Sequence, residues 1–219
     1  MGKLKLLFFL WGMFYSLLGI TASEISLKNW IGEDSSGKFK MTKVDDCLDI
    51  VSPDGLTLWY DECLTGNYEI SYRIKVVMEG GKYDRLSDMN CFWGAKDLKY
   101  PDNIYARKDW RAGIFKNYNT LNLFYVGYGG NENKTTRFRE YHSEFYGIDE
   151  NKIKPLVKEY TDEAHLLKPN RWYEVVITVT DGKTTFAVDG EELFCHSISR
   201  GAGGWIFCHS FVEKPCTSK

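Results

Sequence analysis

Arg137 and Arg139 stand two residues apart in a strand-like run. Two guanidinium groups on one face of a strand suit a carboxylate, which each can grip through paired N–H donors. Residues 121–128 are apolar and aromatic with a single Asn. Gly129-Gly130-Asn131-Glu132-Asn133-Lys134 is turn chemistry, and residues 135–142 resume as a strand, so the stretch reads as a hairpin. Placing Tyr128 opposite Thr135 puts Asn122, Phe124, Val126, Tyr128, Thr135, Arg137, Arg139 and Tyr141 on one face. Leu121, Leu123, Tyr125, Gly127, Thr136 and Phe138 then share the other, with Glu140 and His142 toward its open end. The second face is expected to pack into a core, and the first to line a cleft for a sugar or an anion. A solvated outer face with Arg stems lying over aromatics satisfies the same pattern, and a slip of one residue would regroup every side chain.

Three chemistries compete for that cleft. A polysaccharide lyase must neutralise a uronate carboxylate so that the adjacent carbon can be deprotonated, then supply a base and an acid. Arg137 and Arg139, with Asn122 or Asn131, fit the first role, and Tyr128, Tyr141 and His142 are the candidates for proton transfer. His142 is placed opposite the Arg pair in this register. A glycoside hydrolase needs two facing carboxylates. The cleft face carries none, so Asp88 would have to act with Glu132 or Glu140. A non-catalytic sugar-binding module asks only for a polar and aromatic groove, which the same residues provide. The sequence favours lyase-type action on an acidic glycan, with the binding module as the alternative. Residues 84–95 add substrate-binding candidates, since polar side chains on both faces of an otherwise apolar strand are costly unless paired or facing a cleft. These are Asp88, Asn90 and Trp93. Arg85 is expected to pair with Asp84 or Asp88.

No cofactor or metal is expected. There is no Asp-x-Asp loop for Ca²⁺, and the six Cys and four His do not fall into zinc spacing. Cys91 and Cys195 read as small buried hydrophobes, while Cys47 and Cys63 are a conceivable bridge whose connectivity spacing leaves open.

The elements that must hold these residues are strands. Residues 67–78 alternate cleanly, with Tyr68, Ile70, Tyr72, Ile74, Val76 and Met78 on one face and Glu69, Ser71, Arg73 and Lys75 on the other, as in a half-buried antiparallel strand. Residues 47–51 and 56–60 are short strands around a Ser52-Pro53-Asp54-Gly55 turn. The Asp181-Gly182 and Asp189-Gly190 turns between β-branched runs mark a meander. Residues 96–112 and 143–164 read as long loops beside the cleft, and only residues 161–167 suit a short helix. This predicts an all-β antiparallel sandwich.

Residues 1–23 read as a secretory signal peptide: Lys3 and Lys5, an apolar run over 6–18, then small residues. Residues 24–219 are then one domain, exported to the periplasm or beyond, with no membrane insertion after cleavage. With 28 Lys plus Arg against 30 Asp plus Glu, nucleic acid is not an expected partner. The 34 aromatic residues, 7 Trp, 14 Tyr and 13 Phe, suit both a β-rich core and stacking on sugar rings.

Trp172-Tyr173, Asp181-Gly182-Lys183 and Phe186-x-Val188-Asp189-Gly190 followed by Phe194 resemble the late hairpins of concanavalin-like, or laminin-G-like, jelly-roll sandwiches. Gly55-Leu56-Thr57-Leu58-Trp59, the run Asp84 through Asn90-Cys91-Phe92-Trp93, and Tyr125-Val126-Gly127-Tyr128-Gly129-Gly130-Asn131 through Thr135-Thr136-Arg137-Phe138-Arg139 look like an uncharacterised family of exported bacterial proteins from polysaccharide-degrading systems. The likeness covers roughly residues 30–204. It implies a jelly-roll fold and a polysaccharide or oligosaccharide partner, and names no reaction. The tail departs: such sandwiches imply further alternating strands after Gly204, so the closing strand is expected to be truncated and the sheet edge open.

Overall fold

The computed structural model describes residues 3–8, 26–198 and 204–210. Its strands are β1 Lys3–Phe8, β2 Trp30–Asp34, β3 Lys40–Val44, β4 Cys47–Val51, β5 Leu56–Leu64, β6 Tyr68–Val77 and β7 Met89–Lys96. They continue with β8 Asn122–Gly129, β9 Thr135–Tyr141, β10 Leu156–Tyr160, β11 Trp172–Thr180, β12 Lys183–Val188, β13 Glu191–Ser197 and β14 Gly204–Ser210. Among the described residues these form two antiparallel sheets. The first runs β13-β12-β11-β6-β1-β4-β3 and the second β10-β9-β8-β7-β14-β5-β2.

Alternation explains why the sheets stack. Ile70, Tyr72, Ile74 and Val76 of β6 and Tyr173, Val175, Ile177 and Val179 of β11 are buried, and so are Met89, Cys91 and Trp93 of β7 and Phe124, Val126 and Tyr128 of β8. Together they form the inter-sheet core. The meander turns use left-handed backbone at both central residues, Asp181 and Gly182, then Asp189 and Gly190, the conformation that matches the twist of the flanking strands.

The hairpin register differs from the one read in the sequence. Tyr125 pairs with Arg139 and Gly127 with Arg137, one residue away from the expected pairing. A bulge in the turn causes the slip: Gly130 bridges Thr135, so Tyr128 and Gly129 together stand against Thr136. Gly129 absorbs the extra residue at φ 67°, and its N–H donates to Thr136 Oγ1 at 3.1 Å. A Cβ at Gly129 would lie 2.5 Å from Leu167 Cδ1. Gly129→Ala is therefore expected to cost about 1–3 kcal/mol through overpacking and backbone strain, read as a lower urea midpoint with unchanged m-value.

Further expectations are corrected. A strand does follow residue 203: β14 lies between β7 and β5 and pairs with both, so the second sheet is not left open there. Residues 156–160 of the expected loop are strand β10, pairing with the outer edge of β9. Cys195 is exposed, while Cys91 is buried as expected. Cys47 and Cys63 are free thiols on different sheets. The expected helix over 161–167 is a single 3-10 turn, Glu163–His165.

Candidate functional site

The one-residue slip regroups the hairpin. Arg137, Arg139 and Tyr141 share the outer face of the second sheet with Leu123, Tyr125 and Gly127, while Phe124, Val126 and Tyr128 turn into the inter-sheet core. The cleft face as first grouped does not exist.

Much of the outer face is roofed. Residues 97–121 lie over it in short 3-10 turns and one helical turn, α1 Lys108–Arg111. They bury Trp59, Phe92, Tyr118, Leu121, Leu123, Tyr125 and Tyr141 as a second apolar cluster. Two carboxylate–guanidinium pairs clamp this roof. Arg107 meets the buried Asp97 at 2.6–2.8 Å. Arg111, itself fully buried, reaches the Glu33 carboxylate of β2 at 2.5–3.2 Å and donates to the Ile104 carbonyl at 2.7 Å. The Tyr118 hydroxyl donates to the same carboxylate. Burial pushes the Glu33 carboxyl above the ordinary range, with Arg111 and then Tyr118 pulling it back. Gly113 (φ 72°) sits so close to β2 and the 52–55 turn that a Cβ would lie 2.6 Å from the Glu33 carbonyl oxygen.

Around Tyr125 the outer face carries a cluster of charged side chains. Tyr125 lies across Gly127, where a Cβ would stand 2.2 Å from its hydroxyl. That hydroxyl donates to Asn90 Oδ1 at 3.3 Å. Asn90 is buried, and Asp88 beside it has left-handed backbone, an ion pair with Arg85 at 3.2 Å and a hydrogen bond from Ser87. Arg137 pairs with Glu159 of β10. Arg139 donates from Nη1 to the Lys154 carbonyl, and the Lys154 ammonium lies 4.9 Å from the Phe115 ring and 5.7 Å from that of Tyr141. Phe115 in turn packs on Tyr125 at 5.5 Å. Among the described residues neither Arg139 nor Lys154 has a carboxylate within ion-pair distance. Burial lowers the Lys154 pKa, the neighbouring Arg139 charge lowers it further, and Glu150 opposes. Burial, then the Asp88 charge, holds the Tyr125 phenol well above its ordinary value against the pull of Arg139 and Arg137.

Of the residues singled out in the sequence, Arg137, Arg139, Asp88 and Asn90 meet around Tyr125. The rest lie elsewhere. Tyr128 packs against Tyr173 in the core, 5.6 Å between ring centroids. Tyr141 is buried under the roof, its hydroxyl without a hydrogen bond among the described residues. His142 lies between Glu140 and Glu144, each 3.8 Å away. Asn122 accepts from the backbone and hydroxyl of Ser143 and so anchors the loop after β9. Asn131 is an exposed turn residue with left-handed backbone. Trp93 is fully buried, stacked with Phe138 and Phe186, its indole donating to Thr184 Oγ1 at 2.8 Å. Tyr125, Lys154 and Glu159 were missed. The first was assigned to the core by the slipped register. The other two lie in a stretch whose charges look like those of any exposed loop.

Two stacked antiparallel sheets define an all-β sandwich of the jelly-roll class. A protein of unknown function with a galectin-like fold from Bacillus subtilis superimposes with a TM-score of 0.59 at 15% identity, over 83% of this chain and 82% of that one. Weaker likenesses include the carbohydrate binding module CBM66 from Bacillus subtilis (TM-score 0.46, 10% identity, 84% and 88% covered). The endo-beta-1,3-glucanase from Pyrococcus furiosus is another (TM-score 0.48, 10% identity, 85% and 78% covered). The chain belongs to the family described as Domain of unknown function (DUF6250), which matches residues 50–211. No curated protein matches it.

Proposed function

We propose that this chain binds an acidic, uronate-bearing polysaccharide at the cluster formed by Tyr125, Arg137, Arg139 and Lys154. The observation that carries the reading is the pair of adjacent, half-buried cations, Arg139 and Lys154, without a facing carboxylate among the described residues. Like charges held together out of bulk water repel, and an anion bound between them relieves that repulsion. A sugar carboxylate has the charge and planarity that the guanidinium fork prefers.

The finer reading is lyase-type chemistry. Arg139 would neutralise the carboxylate, Lys154, whose pKa burial and the neighbouring Arg139 lower, would take the proton from the adjacent carbon when its amine is free, and Tyr125, kept protonated by burial, would return one to the leaving oxygen. A non-catalytic binding module uses the same groups without the proton transfers. The hydrolase alternative loses support from geometry, since its candidate carboxylates are scattered: Asp88 pairs with Arg85, Glu132 with Lys134, and Glu140 meets His196 of β13 at 2.9 Å.

Incubation with polyuronates and neutral glucans, following unsaturated-product absorbance and reducing ends together, separates these outcomes. The lyase reading expects absorbance from polyuronates only. Retardation on polyuronate without product leaves the binding module, and reducing ends without absorbance from a neutral glucan would contradict both.

A further inference from the structure

The two arginines of the charged cluster are not equally available. Arg137 and Arg139 leave the same face of β9 two residues apart, roughly 6.7 Å along the strand. Were both open, they could grip two carboxylates of one glycan side by side. Edge strand β10 prevents this. Its register sets Glu159 directly opposite Arg137, and the Glu159 carboxylate accepts from Arg137 Nε. A bulge between Leu156 and Lys158 then brings Leu156 opposite Arg139. An exposed aliphatic side chain therefore stands where a second carboxylate would have quenched the second guanidinium. Arg139 is left with the Lys154 carbonyl as its partner and the Lys154 charge as its neighbour.

The surroundings of that centre are acidic on other sides too. Asp88, paired with Arg85, acts on Tyr125, and Glu150, in the helical turn Glu150–Ile153 that immediately precedes Lys154, acts on the ammonium. The Phe115 ring, 4.9 Å from the ammonium, supplies apolar surface. One sugar carboxylate is thus stabilised at Arg139 and Lys154, while a second on the Arg137 side meets the like charge of Glu159.

Resting on the acidic-glycan reading, we propose that Glu159 is a specificity-determining residue: by occupying Arg137 it restricts the cluster to a single carboxylate, and so selects glycans whose uronates are flanked by uncharged sugars over runs of consecutive uronates. The chain's own carboxylate stands in for the neighbouring one that the site rejects. The Arg137 and Glu159 side chains are 36% and 28% exposed, so solvent screens the pair and it contributes little to stability. Its consequence is for ligand choice.

The test measures the affinity of the full-length chain, at about 0.15 M salt, for an oligogalacturonate, in which every sugar is charged, and for a hyaluronan oligosaccharide of the same length, in which glucuronate alternates with an uncharged amino sugar. Each ligand is compared with itself across variants, so the different number of binding frames on the two cancels. Glu159→Gln should tighten oligogalacturonate at least fivefold, because Arg137 becomes free to take the second carboxylate. It should change hyaluronan less than twofold, since screening over about 8 Å mutes the loss of a charge which that ligand does not meet. Adding Arg137→Gln should abolish the gain, and the melting temperature of Glu159→Gln should stay within about 2 °C of the wild type. Equal tightening of both ligands, no change in either, a gain that survives Arg137→Gln, or a clearly lower melting temperature would each overturn the role of Glu159 while leaving the acidic-glycan reading standing. A wild type and a variant that both ignore both oligosaccharides would overturn that reading, and this inference with it.

Discussion

Replacing Arg111 by Met should lower the stability of the fold by about 3–5 kcal/mol, the cost of stranding one partner of a buried ion pair. At roughly 2–4 °C per kcal/mol for a domain of this size, the melting temperature should fall by roughly 6–20 °C. The guanidinium is fully buried between the Trp59 and Tyr118 rings, 5.3 and 5.8 Å from their centroids, and ties Glu33 of β2 to the roof over the outer face. Met fills comparable space without charge and leaves the Glu33 carboxyl with the Tyr118 hydroxyl alone as an acidic-proton donor from the roof. The pH dependence has a definite sign. Burial holds the folded pKa of Glu33 above its unfolded value, so its contribution is fully present below the unfolded pKa and is lost as pH rises through the folded one. Losing Arg111 raises the folded pKa further, and the deficit of Arg111→Met should be full at neutral pH and shrink on acidification. Adding Glu33→Gln should recover most of the loss at pH 7, because the orphaned charge is gone. Urea unfolding of the three proteins at two pH values reads all of this. An Arg111→Met variant as stable as the wild type would show that the roof is not clamped by this pair.

Changing Lys154 to Met should cut affinity for a polyuronate at least tenfold, about 1.4 kcal/mol, while leaving the melting temperature unchanged or raised. The two halves of that expectation have one cause. A half-buried ammonium beside Arg139 is held at a cost in the folded protein, which its lowered pKa records, so a residue kept for binding rather than stability should be removable at a gain. Arg139→Gln should lose affinity as strongly, since it removes the guanidinium fork, and Arg139→Lys should restore only part, because an ammonium keeps charge without planarity. A structural role for Lys154 predicts the opposite pattern, with a lower melting temperature and unaltered glycan preference.

The layer architecture was legible because it depends on alternation, and β6 and β11 alternate without interruption. The site was half legible. Arg137 and Arg139 were visible as a pair two residues apart, and both do share the outer face. Their neighbours were not, because one glycine with left-handed backbone at residue 129 shifts the pairing and exchanges Tyr125 for Tyr128. Turn composition announces a reversal without fixing how many residues it absorbs. Trp93 is a core residue and no part of a cleft, because the face of β7 that it shares with Met89 and Cys91 is the one that packs against the other sheet, while Asn90 and Phe92 point outward. Glu33 and Arg111 lie 78 residues apart, and no local pattern joins them. Lys154 acquires meaning only from Arg139 and the rings of Phe115 and Tyr141, which come from three separate segments.

The most direct measurement is the salt dependence of binding to a polyuronate and to a neutral glucan of matched length, made on the wild-type chain. A cluster that recognises carboxylates through Arg139 and Lys154 predicts tight binding to the polyuronate alone, with affinity falling steadily as ionic strength rises and screening shortens the reach of the charges. Equal affinity for the two polymers, indifferent to salt, would contradict it.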